Sequence, residues 1–197
     1  MLEWFPGRFL IEGDRNDYDY IYTREKLATL AGKKLHGKRN HIARFKDSGD
    51  WSYEPMTAEN VEECRTMTYT WIHMREEKWN EEMNQEISVL HEAFDHMQEL
   101  GLVGGVLRRD GQIVAFSIGE RLNSETFVVH FEKAYPDLQG AYPMINQQFV
   151  LHECEGYAYV NREEDTGDPG LRKAKLSYYP DILLPKYELE ESRVVYA

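Results

Sequence analysis

The chain has 197 residues, 42% of them hydrophobic and 29% charged, an ordinary balance for one globular domain, or one domain with an appended arm. Its formal charge of −12 excludes a surface that is basic throughout. No apolar run is long enough for a transmembrane helix, and the start at Met1-Leu2-Glu3 lacks the basic and apolar regions of a secretory signal, so the expectation is a cytoplasmic protein. The charge is uneven: Arg24 to Lys46 holds eight Lys/Arg and one acid, Glu25. Cys64 and Cys154, the two cysteines, read as buried free thiols rather than a disulfide.

In chain order, Arg8 to Glu12 and Tyr18 to Tyr22 read as short strands separated by the polar turn Gly13 to Asp17. Thr23 suits an N-cap for a helix from Arg24 to about Ala31. Gly32 and Gly37 leave Lys33 to Lys46 open between a kinked helix and an ordered loop. The polar stretch Lys46 to Asp50 is the clearest linker. It divides an N-terminal arm, 1–50, from a domain, 51–197. Trp51 to Met56 reads as a strand, and Thr57 as the cap of a helix from Ala58 to about Glu77, with Val61, Cys64, Thr68, Trp71 and Ile72 near one face. A second helix spans about Glu82 to Leu100, closed by Gly101.

Three strands then form a meander: Leu102 to Arg108, Gln112 to Leu122 and Glu125 to Glu132. Asp110-Gly111 is a strong hairpin signal, because both residues tolerate positive φ. The run Ile113 to Phe116 is apolar on both faces, so the sheet is expected to be covered on both sides. A loop from Lys133 to Ala141 leads into a helix from about Tyr142 to Glu155, and Tyr157 to Asn161 completes a β-α-β crossover. Asp168-Pro169 opens a short helix to Leu176, and Ile182 to Val195 supplies one or two closing strands.

Three strings carry more than element order. The first is Tyr18-Asp19-Tyr20-Ile21-Tyr22 with Gly32 to Ile42. The second is His130-Phe131-Glu132-Lys133-Ala134 with Gly140 to Phe149, and the third is Asn161 to Gly167 with Leu171 to Pro180. Together they resemble an uncharacterised bacterial family similar to the C-terminal domain of phosphatidylglycerol lysyltransferase, itself related to the Fem-type aminoacyl transferases. The resemblance runs from about Tyr18 to Lys186 and implies a GNAT-like α/β (α+β) fold, a mixed central sheet flanked by helices. In that family the fold usually occurs as two tandem repeats; this chain has room for the second repeat and an arm leading into it. The implied function is N-acyl transfer to a small-molecule amine, with acyl-CoA (coenzyme A) or aminoacyl-tRNA as donor. The alternatives are a non-catalytic GNAT-like module that binds a ligand or partner, and a relative of phospholipid aminoacyltransferases. Pairing of the short chain with a copy of itself would cover the surface of the missing repeat.

Such a reaction needs a cradle for donor phosphates, a donor to the developing oxyanion and a base for the amine. The donor-binding candidates are Gly140, Ala141 and Asn146, with the basic residues Lys33, Lys38 and Arg39. Gly140-Ala141 is only part of the acyl-CoA pattern Gln/Arg-x-x-Gly-x-Gly/Ala, since Asp137 and Tyr142 fill its end positions. The basic string suits coenzyme A phosphates, an RNA backbone or anionic lipid, or is simply a solvated helix face. Glu132 is the candidate base and His130 a substrate contact, two apart and so expected on one face of a strand, with a salt bridge as the competing reading of Glu132. Glu163 is a further catalytic candidate, and Glu164 and Asp165 are substrate-ammonium candidates at a strand's end. Arg172 and Lys175 either join that site or neutralise those acids in a structural network, and Tyr178 is a candidate general acid. No metal site is expected: His36/His41 and His91/His96 are each five apart, off one helical face.

Overall fold

The computed structural model describes residues 8–75 and 81–191. In chain order the elements are β1 (Phe9–Glu12), β2 (Asp19–Thr23), α1 (Arg24–Thr29), α2 (His36–Asp47), β3 (Trp51–Pro55), α3 (Val61–His73), α4 (Glu81–Asp95), β4 (Val103–Arg109), β5 (Gln112–Arg121), β6 (Thr126–Ala134), α5 (Ala141–Glu153), β7 (Tyr159–Asn161), α6 (Pro169–Leu176), β8 (Ile182–Leu184) and β9 (Glu188–Glu191). The expected helix end at Glu77 and strand end at Val195 lie outside the described residues. The chain divides into two compact units, a larger one of residues 22–161 and a smaller one of residues 1–21 with 162–197.

In the larger unit the strands run in the order β3-β4-β5-β6-β7. β3 through β6 are antiparallel, and β7 returns parallel to β6 after the α5 crossover. The β4–β5 hairpin turns at Asp110 and Gly111, whose φ values of 49° and 81° match the twist of the flanking strands. One face of the sheet is covered by α3 and α4: Cys64, Met67, Trp71, Ile87, Leu90 and Phe94 pack on Val106, Ile113, Phe116 and Ile118. The other face receives α5, where Phe149 meets Phe127 of β6 at a ring distance of 5.8 Å. This two-sided cover explains why β5 is buried without interruption from Ile113 to Gly119.

Two local boundaries differ from those read in the sequence, and the segment left open between helix and loop is decided. α3 begins at Val61 because Asn60, not Thr57, holds the N-cap position, and the Asn60 side chain accepts the Thr57 N–H at 2.8 Å. The two residues share one turn ahead of the helix. The basic segment is a 3-10 turn at Lys33–Leu35 followed by α2, a helix that buries Ile42 and Phe45. Lys133 and Ala134, expected in a loop, are the last residues of β6, where Ala134 pairs with Ala115.

In the smaller unit β1 pairs with β9 and β2 with β8, both antiparallel. α6 starts as its sequence predicts, with Pro169 in the first turn and Asp168 accepting the Leu171 N–H at 2.5 Å.

Candidate functional site

The parallel pairing of β6 and β7 covers only Thr126↔Tyr159 to Val128↔Asn161, whereas β6 runs on to Ala134. The half of β6 from Val129 onward therefore has a sheet neighbour on the β5 side but none from β7. In an open α/β sheet this carboxyl end of the parallel strands, beside a crossover helix, is where ligands gather. Glu132 lies in this half. Its half-buried carboxylate accepts a hydrogen bond at Oε2 from Asn146 Nδ2 of α5, at 2.8 Å. Asn146 is 2% exposed, and its Oδ1 has no hydrogen-bond partner among the described residues. Ser117, directly across β5 from Glu132, likewise has a buried Oγ without a partner. Buried polar atoms left unpaired are rare, and two of them, Asn146 Oδ1 and Ser117 Oγ, belong to the residues that flank Glu132.

His130 and Glu132 do not share a face. The β5–β6 register passes from Ile118↔Phe131 to Gly119↔Val129, so His130 is the extra residue of a bulge. The bulge shifts the alternation: Phe127 before it and Glu132 after it both point to α5, while Lys133 points to α3 and α4. His130 Nε2 lies 3.1 Å from Glu120 Oε1 on β5.

On the α3/α4 side of the same half-strand, Lys133 is 5% exposed and bonds Glu86 at 2.6 Å. Burial drives its pKa down, and the Glu86 carboxylate opposes that shift. The Lys133 ammonium stands 4.3 Å from the Trp71 ring centroid, and the Arg75 guanidinium stacks on the same ring at 4.8 Å. Trp71 Nε1 donates to the Tyr142 hydroxyl at 3.1 Å. The sequence reading missed Tyr142 and Trp71; no spacing marks them, because the pair forms only when α3 packs beside the start of α5.

The donor-binding candidates are spread over other tasks. Gly140 has φ 88°, and a Cβ there would stand 2.3 Å from the His41 carbonyl oxygen of α2. Its lack of a side chain is thus needed for α2 to dock. At the start of α5 the Ala141 N–H is taken by Leu138 O at 3.1 Å, and Pro143 has no N–H to offer. This helix end does not fit a coenzyme A pyrophosphate, which needs several free N–H groups. Arg39 donates one guanidinium nitrogen to the Leu30 and Gly32 carbonyls, closing the end of α1. Lys33, Lys34, Arg44 and Lys46 are exposed and Lys38 half-exposed, opposite the buried Leu35, Ile42 and Phe45.

The remaining candidates lie in the smaller unit. Asp165 is fully enclosed and accepts from Arg172 at 2.6 and 2.8 Å, from Tyr20 at 2.5 Å and from the Gly167 N–H at 3.0 Å. The Arg172 guanidinium holds the Asp165 carboxyl well below the usual carboxylate range; burial opposes this and the Tyr20 hydroxyl assists it. Lys175, 7% exposed, donates to the Arg162, Glu163 and Glu164 carbonyls. Glu163 itself sits at φ 55°. The Glu164 carboxylate pairs with Lys186 at 2.7 Å, and the buried Tyr178 ring lies 5.0 Å beneath the Arg162 guanidinium. The observed arrangement is an internal network in which Asp165, Arg172 and Lys175 spend their polar atoms on the fold. Among the described residues no group of His, Cys, Asp and Glu could hold a metal ion.

An antiparallel meander, a crossover helix and a short parallel strand paired with only the first part of its neighbour define a GNAT-like mixed α/β fold. The sequence matches the model of the family described as phosphatidylglycerol lysyltransferase, C-terminal, over residues 2–190, and the chain belongs to that family. A conserved protein of unknown function from Bacteroides thetaiotaomicron is 44% identical, with a TM-score of 0.92 over 97% of this chain and 65% of that one. The L-PGS structure from Bacillus licheniformis, at 16% identity, aligns with a TM-score of 0.67 over 98% of this chain and 65% of that one, a likeness of fold. An uncharacterized protein of Mycoplasmoides gallisepticum is 24% identical over 192 residues, 94% of this chain and 60% of that protein. The chain thus spans less than two thirds of these relatives. No helix among the described residues is long and apolar enough to cross a membrane.

Proposed function

We propose that this chain transfers an aminoacyl group from an aminoacyl-tRNA to an amine acceptor, with Glu132 as the base. The observation that carries the reading is the placement of Glu132. It is a half-buried carboxylate on the stretch of β6 that β7 leaves unpaired, oriented by a buried Asn146. The family description supports aminoacyl rather than simple acyl chemistry. An aminoacyl ester is already activated, so the protein has to position it and manage one proton and one oxyanion. The amine nitrogen attacks the ester carbonyl carbon and forms the new C–N bond. Glu132 takes the proton the nitrogen loses and returns it to the ribose oxygen as the C–O bond breaks. The exposed cations of α2 and of the turn before it suit the tRNA backbone, whose charge is read without sequence preference.

A phospholipid hydroxyl is the second acceptor, favoured by the family description alone. The test is transfer of a radiolabelled aminoacyl group from charged tRNA to a panel of soluble amines and, separately, to phosphatidylglycerol vesicles. Label appearing in an amine product, and reduced about 100-fold by Glu132→Gln, is the expected result. Label in the lipid alone would reassign the acceptor. Micromolar binding of coenzyme A with no transfer from tRNA would overturn the donor.

A further inference from the structure

We infer that the Tyr142 hydroxyl is the hydrogen-bond donor to the tetrahedral oxyanion, a catalytic role beside that of Glu132; this rests on the aminoacyl-transfer reading above. Tyr142 is the second residue of α5, and its hydroxyl meets Trp71 of α3, near enough to β6 for the Glu132 charge and the Ala134 N–H to act on it. Trp71 Nε1 donates to the Tyr142 oxygen at 3.1 Å, so this oxygen is used as an acceptor. An indole N–H can only donate, which leaves the phenolic hydrogen to be given elsewhere. Among the described residues, the Tyr142 hydroxyl donates to no acceptor. Among these residues its oxygen is held by Trp71, and its O–H is available to a ligand.

The surroundings keep the proton in place and strengthen its donation. Burial is the largest influence and raises the Tyr142 pKa above that of a free phenol. The Trp71 N–H, the Arg75 guanidinium and the Ala134 backbone N–H act the other way, and the Glu132 charge adds to the rise. The group thus stays protonated at neutral pH. The Arg75 guanidinium, on the Trp71 ring, acts on the Tyr142 hydroxyl through its charge and so favours negative charge developing there. A donor fixed before the reaction needs no reorganisation when charge appears, and that is the source of oxyanion stabilisation. In the step itself, the carbonyl π pair moves onto oxygen as the acceptor nitrogen bonds to carbon. Tyr142 O–H bonds that oxygen without giving up its proton, and the pair returns as the ribose oxygen departs.

The test uses the whole chain in three measurements. Tyr142→Phe is expected to lower kcat for transfer about 100-fold with KM within a few-fold, the range for losing one oxyanion donor. Because Phe also leaves the Trp71 N–H without an acceptor, replacement of Tyr142 by 3,5-difluorotyrosine serves as the second variant. It keeps the shape and makes the phenol more acidic, so the basic limb of the pH–rate profile should move to lower pH. A purely structural hydroxyl would leave that limb where it is. Independently of turnover, an aminoacyl-adenosine phosphonate, whose P–O⁻ stands in for the oxyanion, should bind at least 10-fold more weakly to Tyr142→Phe. Unchanged kcat in Tyr142→Phe, or an unmoved limb in the fluorinated protein, overturns the role of Tyr142 while leaving aminoacyl transfer standing. A wild-type chain that neither transfers nor binds the phosphonate overturns both.

Discussion

Asn146 presents opposite ends of one amide to two different situations: its Nδ2 bonds Glu132 at 2.8 Å, while its Oδ1 is buried without a partner among the described residues. A core amide satisfied on one side only is costly to keep, which makes its removal informative. Asn146→Leu should lower transfer about 10-fold by releasing the Glu132 carboxylate. The melting temperature should stay within a few degrees, because the unpaired oxygen leaves together with the lost bond. Thermal scans beside initial rates check this; a large fall in melting temperature with unchanged rate would make Asn146 a packing residue.

Gly140→Ala should destabilise the larger unit. The new methyl would sit 2.3 Å from the His41 carbonyl oxygen at a φ of 88°, so either α2 moves or the backbone rearranges. The cost should be about 2 kcal/mol or more, above the strain of an alanine at positive φ alone. Denaturant unfolding gives the magnitude, and hydrogen exchange should show protection lost first along α2.

Asp165 makes the smaller unit acid-sensitive. Its carboxyl is held below its unfolded pKa, chiefly by Arg172, so the stabilisation is complete above the unfolded value near about 4. It is lost as pH falls from there through the folded value. Asp165→Asn should flatten this acid limb of stability and lower the melting temperature by roughly 5 °C at neutral pH. Melting curves between about pH 2 and 7 on both proteins decide the matter.

Cys64 and Cys154 are buried, and burial pushes both thiols up to about 12. Neither should react with a disulfide reagent in the native state at pH 8, and both should react once the chain is unfolded. Fast labelling of either in the folded protein would show that its cover opens.

The basic segment separates by task. Arg39→Ala should lower stability with little change in tRNA affinity, since its guanidinium closes α1. Lys33→Ala with Lys34→Ala should leave stability alone and reduce the slope of log affinity against log salt by about 1 to 2, as for two lost phosphate contacts. Filter binding at several salt concentrations distinguishes the two.

What could be read from the sequence was what depends on neighbours along the chain. Asp110-Gly111 makes a hairpin by its own conformational preferences, and Asp168-Pro169 opens a helix for the same reason. The start of α3 was harder, because Thr57 and Asn60 are both good capping residues and only the folded turn decides between them. Counting by twos placed His130 and Glu132 on one face, and the count failed at a bulge set by pairing with β5, a partner strand that the local sequence does not display. Glu132 was visible as a carboxylate; its partner Asn146 and the unpaired half-strand around it arise from the α5 crossover and the shortness of β7. Tyr142 looked like a residue spoiling a glycine pattern. Its meeting with Trp71 joins positions 71 apart in the chain.

Trp71, with one cation at 4.3 Å and another at 4.8 Å from its ring, is also a built-in optical gauge. Indole emission follows the electric field across the ring, so a movement of Lys133 or Arg75 by a fraction of an ångström changes the colour of its light. In a chain carrying Phe in place of Trp4, Trp51 and Trp79, a ligand arriving beside β6 as proposed would be followed by the fluorescence of Trp71, before any product is identified.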